Sequence, residues 1–202
     1  MIAIVDTGGA NLFSVTAAFK RLGASYEITN DHKKIKSASK VLLPGVGAAA
    51  DCMSRIANDD LITLIRELKQ PVMGICLGMQ ILFDVSAEGD IGCLGIIPGK
   101  VRAMKPDYDI TVPHMGWNLI ELCGSGSRSD PLFADLFMAD RRIYAYFVHS
   151  FCAPVTEYTL ATATHGCAVP AVVRKDNFWG CQFHPERSGA VGSRILENFL
   201  KL

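Results

Sequence analysis

The pentapeptide Gly74-Ile75-Cys76-Leu77-Gly78 constrains this chain more than any other feature. It follows the apolar pair Val72-Met73, just after Pro71, and leads into the helix-like run Met79-Gln80-Ile81-Leu82-Phe83. A small-x-nucleophile-x-small turn joins a strand to a helix so sharply that no β-carbon fits beside the central residue. A helix that starts at such a turn aims free N–H groups and a positive dipole end at the sulfur, which favours the thiolate. A buried cysteine on a glycine-softened strand end would carry the same letters.

The surrounding chain supplies the fold that such an elbow needs. Residues 2–6 form an apolar strand ending in a glycine loop, and Asn11 caps a helix that runs to Leu22 and closes at Gly23. Residues 26–29 and 41–43 read as strands, residues 60–68 carry helical periodicity, and residues 72–75 form the strand that delivers Cys76. Strands alternating with helices predict an α/β fold: a flavodoxin-like layered sheet, mostly parallel, flanked by helices. Beyond about residue 96 shorter strands follow, at 101–104, 117–120, 143–151, 160–164, 171–174 and 178–183, which predicts additional antiparallel pairing in the second half. Cys123-Gly124-Ser125-Gly126-Ser127 marks a surface turn, and residues 188–201 read as a closing helix with Ile195, Leu196, Phe199 and Leu200 on its apolar face. Neither an internal repeat nor a linker interrupts the chain, so residues 1–202 are expected to form a single domain.

Composition narrows the function classes. Twenty basic and twenty acidic side chains give zero formal net charge, which argues against nucleic acid or an anionic membrane as the main partner. No apolar run approaches the roughly 20 residues of a membrane span. The sequence opens on strand-like Met1-Ile2-Ala3-Ile4-Val5 without a basic or cleavable leader, so a cytoplasmic location is expected. Its seven cysteines are irregularly spaced with no Cys-x-x-Cys pair, a pattern that suits neither a disulfide framework nor zinc. Cys152 and Cys181 fall in strand-like runs and read as packed thiols. The five histidines show no ligand spacing, so neither a metal nor a cofactor is expected.

Two more segments complete a chemistry. In Gly180-Cys181-Gln182-Phe183-His184-Pro185-Glu186 a short strand ends in His-Pro-Glu. A thiol attacking an amide needs a base to take its proton and return it to the leaving amine, and that base needs a carboxylate to fix its tautomer. His184 and Glu186 fill both roles, and Pro185 stiffens the link between them. In isolation, a His-x-Glu pair is more often a strand end beside a solvated carboxylate. The strand at residues 41–43 runs into Pro44-Gly45-Val46-Gly47, where glycines let the backbone approach a ligand and turn N–H groups outward, as an oxyanion hole requires. All three segments lie at predicted strand C-termini, where open parallel sheets bind ligands.

In this order and at these separations, the three segments resemble the class I (triad-type) glutamine amidotransferases, over essentially the whole chain. Within that family, Pro113-His114-Met115-Gly116-Trp117-Asn118 and Gln182-Phe183-His184-Pro185-Glu186-Arg187-Ser188 look like the glutaminase subunits of imidazole glycerol phosphate synthases. Two positions depart from the pattern: Thr7-Gly8-Gly9-Ala10-Asn11 replaces a Tyr-Gly-x-Gly-Asn loop, and Arg187 stands where lysine is common. The resemblance implies hydrolysis of L-glutamine to glutamate and ammonia, with Cys76 as nucleophile, His184 and Glu186 as its catalytic partners, and Val46, Gly47 and Leu77 at the oxyanion. Gln80, Glu88, His149, Ser150 and Phe151 would line the glutamine pocket. It further implies a partner, a (β/α)8-barrel cyclase that completes a heterodimer and is met near Asn11, Trp117, Tyr146 and Arg187, and a place in histidine biosynthesis. Glutaminase subunits serving anthranilate, aminodeoxychorismate or sugar amidation share most of these motifs. A flavodoxin-like module with Cys76 as a redox sensor is the reading outside enzymology.

Overall fold

The computed structural model describes residues 1–8, 12–137 and 142–202; Asn11, expected to cap the first helix and to meet a partner, lies outside them. Parallel strands β1 (Ile2–Ile4), β2 (Tyr26–Ile28), β3 (Lys40–Leu43) and β4 (Val72–Ile75) are joined by α1 (Leu12–Arg21), α2 (His32–Ser37), α3 (Ala49–Asn58) and α4 (Leu61–Glu67). After the elbow come the one-turn helix α5 (Leu77–Gln80) and strands β5 (Phe83–Ser86), β6 (Ile91–Gly92) and β7 (Ile97–Ala103). The second half contributes β8 (His114–Leu122), the short helix α6 (Gly124–Ser127), β9 (Ile143–His149), β10 (Phe151–Cys152), β11 (Thr159–His165), β12 (Cys167–Lys175), β13 (Phe178–Cys181) and the closing helix α7 (Gly189–Lys201).

Among the described residues, nine strands form the main sheet in the order β2-β1-β3-β4-β13-β12-β11-β8-β9. The side from β2 to β13 is parallel, and the remainder is antiparallel. Alternation along the parallel strands explains why both faces must be covered. Val41 and Leu43 pack on one face with Ile56 of α3 and Ile65 of α4, whereas Leu42 and Met73 pack on the other with Phe19 of α1 and Phe199 of α7. A second, four-stranded sheet, β10-β7-β5-β6, sits against the first of these cores through Phe83, Ile97 and Val101.

The expected mixed α/β architecture is therefore present, with three local differences. The helix after Cys76 ends at Gln80, because the buried run Ile81-Leu82-Phe83 turns away and feeds β5, which pairs with β7. Residues 124–127 close into a helical turn rather than an open one. Helices α2 and α3, absent from the elements expected on sequence periodicity, cover one face of the parallel sheet.

Register sets up the site. Leu43 pairs with Gly74, and Cys181 with Ile75. The carboxyl ends of β3, β4 and β13 thus lie side by side. They deliver the Pro44–Gly47 loop, Cys76 and the His184 segment to one edge of the sheet.

Candidate active site

Cys76 sits at φ 53° and ψ −108°, a conformation rarely adopted by a residue with a side chain. Its N–H donates to Cys181 O at 2.7 Å, and its carbonyl accepts from Met79 and Gln80. The flanking glycines are required by contact. A β-carbon on Gly78 would lie 1.8 Å from Leu43 O, and one on Gly74 would lie 2.3 Å from Gly78 O. The sulfur is held at 3.8 Å from Val148 O and from Gln182 Nε2. Because α5 has only four residues, its dipole is short. Side chains, more than the helix expected from sequence, make the environment of the sulfur.

His184 is buried, and its Nδ1 donates to Glu186 Oε1 at 2.8 Å. Burial alone would push this imidazole down. The adjoining Cys76 thiol and the Glu186 carboxylate outweigh that and hold it up at about 10. With Nδ1 committed to the carboxylate, Nε2 is left for the reacting atoms. Three contacts fix the segment behind the ring. The His184 N–H donates to Tyr146 O, while Ser188 Oγ donates to His184 O at 2.7 Å and accepts from Tyr146 N at 3.0 Å. A β-carbon on Gly192 would strike Pro185 O at 1.8 Å, so α7 packs directly beneath the turn that carries Glu186. Ser188 lies inside a motif quoted from the sequence, yet a serine two residues past a glutamate carries no letter-level sign of this role.

One cavity of about 460 Å³, the size of a small-molecule site, gathers every residue assigned from sequence to the catalytic, oxyanion and glutamine-binding roles except Glu186. Val46, Gly47, Cys76, Leu77, Gln80, Glu88, His149, Ser150, Phe151 and His184 all line it, together with Pro113 and Val148. Glu186 stands behind His184, at a crevice shared with Thr7 and Pro44. Several of the wall residues are already engaged. Glu88 accepts from Ala49 N at 2.8 Å and so caps α3, which its lone position in the sequence did not suggest. Gln80 Nε2 donates to Phe151 O at 2.9 Å and to Gln182 Oε1 at 3.0 Å.

The Pro44–Gly47 loop is tethered at one end, where Thr7 Oγ1 donates to Pro44 O at 2.7 Å. At the other end Gly47 has φ +97° and open space around its α-carbon. Burial pushes the thiols of Cys52 and Cys152 up to about 12, and that of Cys93 to about 11. Cys181 is driven up further in full burial. None of these is equipped as a nucleophile. Trp117 is 58% exposed and sits opposite Tyr146 on the neighbouring strand, with ring centres 6.2 Å apart. Arg187 is also exposed. Among the described residues no cluster of three or more His, Cys, Asp or Glu side chains is placed to hold a metal ion, and no helix is long and apolar enough to cross a membrane.

The family model for glutamine amidotransferase class-I matches residues 3–202. A relative from Xanthomonas oryzae pv. oryzae (strain MAFF 311018), imidazole glycerol phosphate synthase subunit HisH, is 48% identical over all 202 residues, which cover 97% of that relative. The same-named subunit of Xylella fastidiosa (strain Temecula1 / ATCC 700964) is 46% identical over the same span, again covering 97% of its length. Among solved structures, a glutamine amidotransferase aligns with TM-score 0.73 at 16% identity, covering 99% of this chain and 97% of that one. A chain of PurLQS from Thermotoga maritima aligns with TM-score 0.69 at 19% identity, covering 99% and 97%. Sequence and fold agree across the full length, and the chain belongs to the class-I glutamine amidotransferases.

Proposed function

We propose that this chain is the glutaminase subunit of an imidazole glycerol phosphate synthase, a single-domain enzyme that hydrolyses L-glutamine and hands the ammonia to a separate (β/α)8-barrel cyclase. The observation that carries this reading is the convergence of Cys76, His184 and the Val46-Gly47 backbone on one cavity, with Glu186 bound to the histidine. The names of the relatives in Xanthomonas and Xylella supply the synthase.

The chemistry follows from the geometry. Cys76, as thiolate beside the imidazolium of His184, attacks the side-chain amide carbon of glutamine. The developing oxyanion is met by backbone N–H groups of Leu77 and of the Val46-Gly47 segment. His184 gives its proton to the departing ammonia, then takes one from water as that water attacks the thioester, releasing glutamate and restoring the thiolate–imidazolium pair. Glu186 keeps Nδ1 protonated throughout, so Nε2 remains the working nitrogen. The cavity walls at Gln80, Glu88 and residues 149–151 hold the amino-acid end of the substrate.

Ammonia released into water is protonated and loses its nucleophilicity, so a glutaminase of this kind works docked on its synthase. Trp117, Tyr146 and Arg187 form our candidate contact in a heterodimer. Seven free thiols suit a reducing, cytoplasmic setting.

The test is Cys76→Ala in the complex with the cognate cyclase. Glutamine-dependent product formation should fall to background, while synthesis from high external ammonium at raised pH persists, because that chemistry lies on the other subunit. Retention of more than a trace of glutamine-dependent turnover would show the nucleophile to be misassigned. Co-purification with a synthase of another pathway would replace the cyclase assignment.

A further inference from the structure

A continuous, directional chain of hydrogen bonds crosses from the antiparallel strands to the nucleophile, and the roles proposed above leave part of it unused. Its first member is Asn118, on β8 beside exposed Trp117. Asn118 Nδ2 donates to Thr164 O at 2.8 Å and to His114 Nε2 at 3.0 Å. His114, four residues earlier and therefore on the same face of the strand, pairs in register with His149 on β9. Its Nδ1 lies 2.9 Å from His149 Nε2, and His149 Nδ1 lies 2.8 Å from Phe151 O. The same carbonyl accepts from Gln80 Nε2, whose second hydrogen goes to Gln182 Oε1, and Gln182 Nε2 points at the Cys76 sulfur.

The acceptors dictate the direction. A carbonyl only accepts, so His149 carries its proton on Nδ1 and presents Nε2 as a lone pair. His114 must then donate from Nδ1 and accept at Nε2, where Asn118 supplies the hydrogen. Likewise Gln80 turns its amide nitrogen to Phe151 O, which leaves Gln182 to accept with oxygen and donate with nitrogen. Each link has one orientation that satisfies both neighbours. Both rings are neutral at ordinary pH: burial, then the neighbouring histidines, holds His114 down at about 3, and burial holds His149 at about 4. His114 is also clamped in place, with stacked rings on either side: Phe147 at 4.7 Å and His165 at 4.2 Å.

We propose that His114 is a positioning residue for glutamine hydrolysis: acting through His149 and the Phe151 carbonyl, it orients the Gln80–Gln182 pair that holds the Cys76 sulfur. The inference deepens the proposed glutaminase site and rests on that reading for the reaction. The placement of the sulfur does not depend on it. A neutral chain of this kind leaves the charge of the site to Cys76, His184 and Glu186, and contributes orientation alone. Its far end is on the strand that also carries Trp117, whose side chain stands on the opposite face.

Two substitutions at residue 114 separate orientation from packing. Phenylalanine fills the slot between Phe147 and His165 but offers no donor to His149. Asparagine packs poorly there but can place its amide nitrogen where Nδ1 stood. We expect His114→Phe to slow alkylation of Cys76 by chloroacetamide, read by peptide mass spectrometry, about fivefold, the worth of roughly one net hydrogen bond. In the cyclase complex its kcat for glutamine should fall by a similar factor with KM changed less than about twofold. His114→Asn should retain more of both rates than His114→Phe despite the lower melting temperature. Equal rates in the two variants, or the reverse order, would overturn the proposal and return His114 to a packing role. Should His114→Phe fail to fold, Asn118→Ala removes the donor to Nε2 and spares the stack; a smaller slowing of labelling is then expected, and no change would count equally against it. Labelling reads the sulfur without glutamine turnover, so a wild-type cyclase complex inert toward glutamine would refute the glutaminase and still leave the chain of contacts tested.

Discussion

At the residue scale the proposed mechanism divides its work between the two nitrogens of one imidazole. Nδ1 of His184 is bound to Glu186 at 2.8 Å, so in that mechanism the carboxylate acts only through the ring and Nε2 moves protons in both half-reactions. His184→Asn should therefore cost glutamine turnover near the upper end of the roughly 10²- to 10⁴-fold range of general acid–base catalysis, and Glu186→Gln near the lower end. The pH profile separates the two further. Removing the carboxylate removes part of what raises the imidazole toward 10, so the alkaline limb of kcat/KM in Glu186→Gln should move toward acid. The stability linkage has a definite sign as well. A folded value above the ordinary 6.5 makes the ring's contribution complete below about 6.5 and lost as pH rises through about 10. Negligible effects from both substitutions would make residues 182–186 a structural strand end. Cys76, His184 and Glu186 stood out in the sequence as candidates because few residue types can act as thiol, base and orienting acid, and each lay in a distinctive local frame. Gln182, His114 and Ser188 gain their roles from partners 106, 35 and 42 positions away. No local pattern announces such pairings.

Glycines set the geometry at the scale of elements. A β-carbon on Gly45 would meet Gly78 N at 2.6 Å and Leu77 Cβ at 2.7 Å, so Gly45→Ala would push against the elbow itself and test the fold more than the loop. Gly47 is the better probe: nothing lies within 4 Å of an added β-carbon, and only its φ of +97° resists a side chain. Gly47→Ala should strain the loop by roughly 1–3 kcal/mol and bias it toward another backbone arrangement. Loss of a single oxyanion donor costs about 100- to 1000-fold. Glutamine hydrolysis in the complex should fall within or somewhat below that range while cyclase affinity stays within a few-fold, as isothermal titration would report. Wild-type turnover in this variant would remove Gly47 from the oxyanion assignment. Sequence revealed the parallel half of the sheet because alternating strands and helices of clear period leave few topologies. It misjudged Ile81-Leu82-Phe83 for a physical reason: a short, fully buried apolar run has no exposed face, so a helix turn and a strand look alike.

At the scale of the whole molecule, zero net charge goes with several exposed apolar side chains among the described residues, Met115 and Trp117 on β8 among them. Zero net charge offers little electrostatic steering toward a partner, so apolar anchors have to carry the association. Trp117 and Met115 are 58% and 62% exposed on β8, and Tyr146 stands beside the indole. Of these, Trp117 and Tyr146 were singled out from sequence by resemblance. Met115 was not, because exposure of an apolar side chain is a property of the folded surface and not of the letter. A large aromatic that is more than half exposed before docking and buried afterward has the profile of an interface hot spot, worth about 2 kcal/mol or more, or roughly 30-fold in affinity. Trp117→Ala should thus weaken the complex with the cyclase by at least that factor. The melting temperature of the isolated chain should shift only slightly, since little of the indole is packed against the fold. Because the lost contact is apolar, the loss should be nearly the same at low and high salt, unlike that from Arg187→Ala, whose exposed charge is screened as ionic strength rises. Titration calorimetry at two salt concentrations measures both effects. A cyclase affinity unchanged by Trp117→Ala would move the docking surface away from this part of β8.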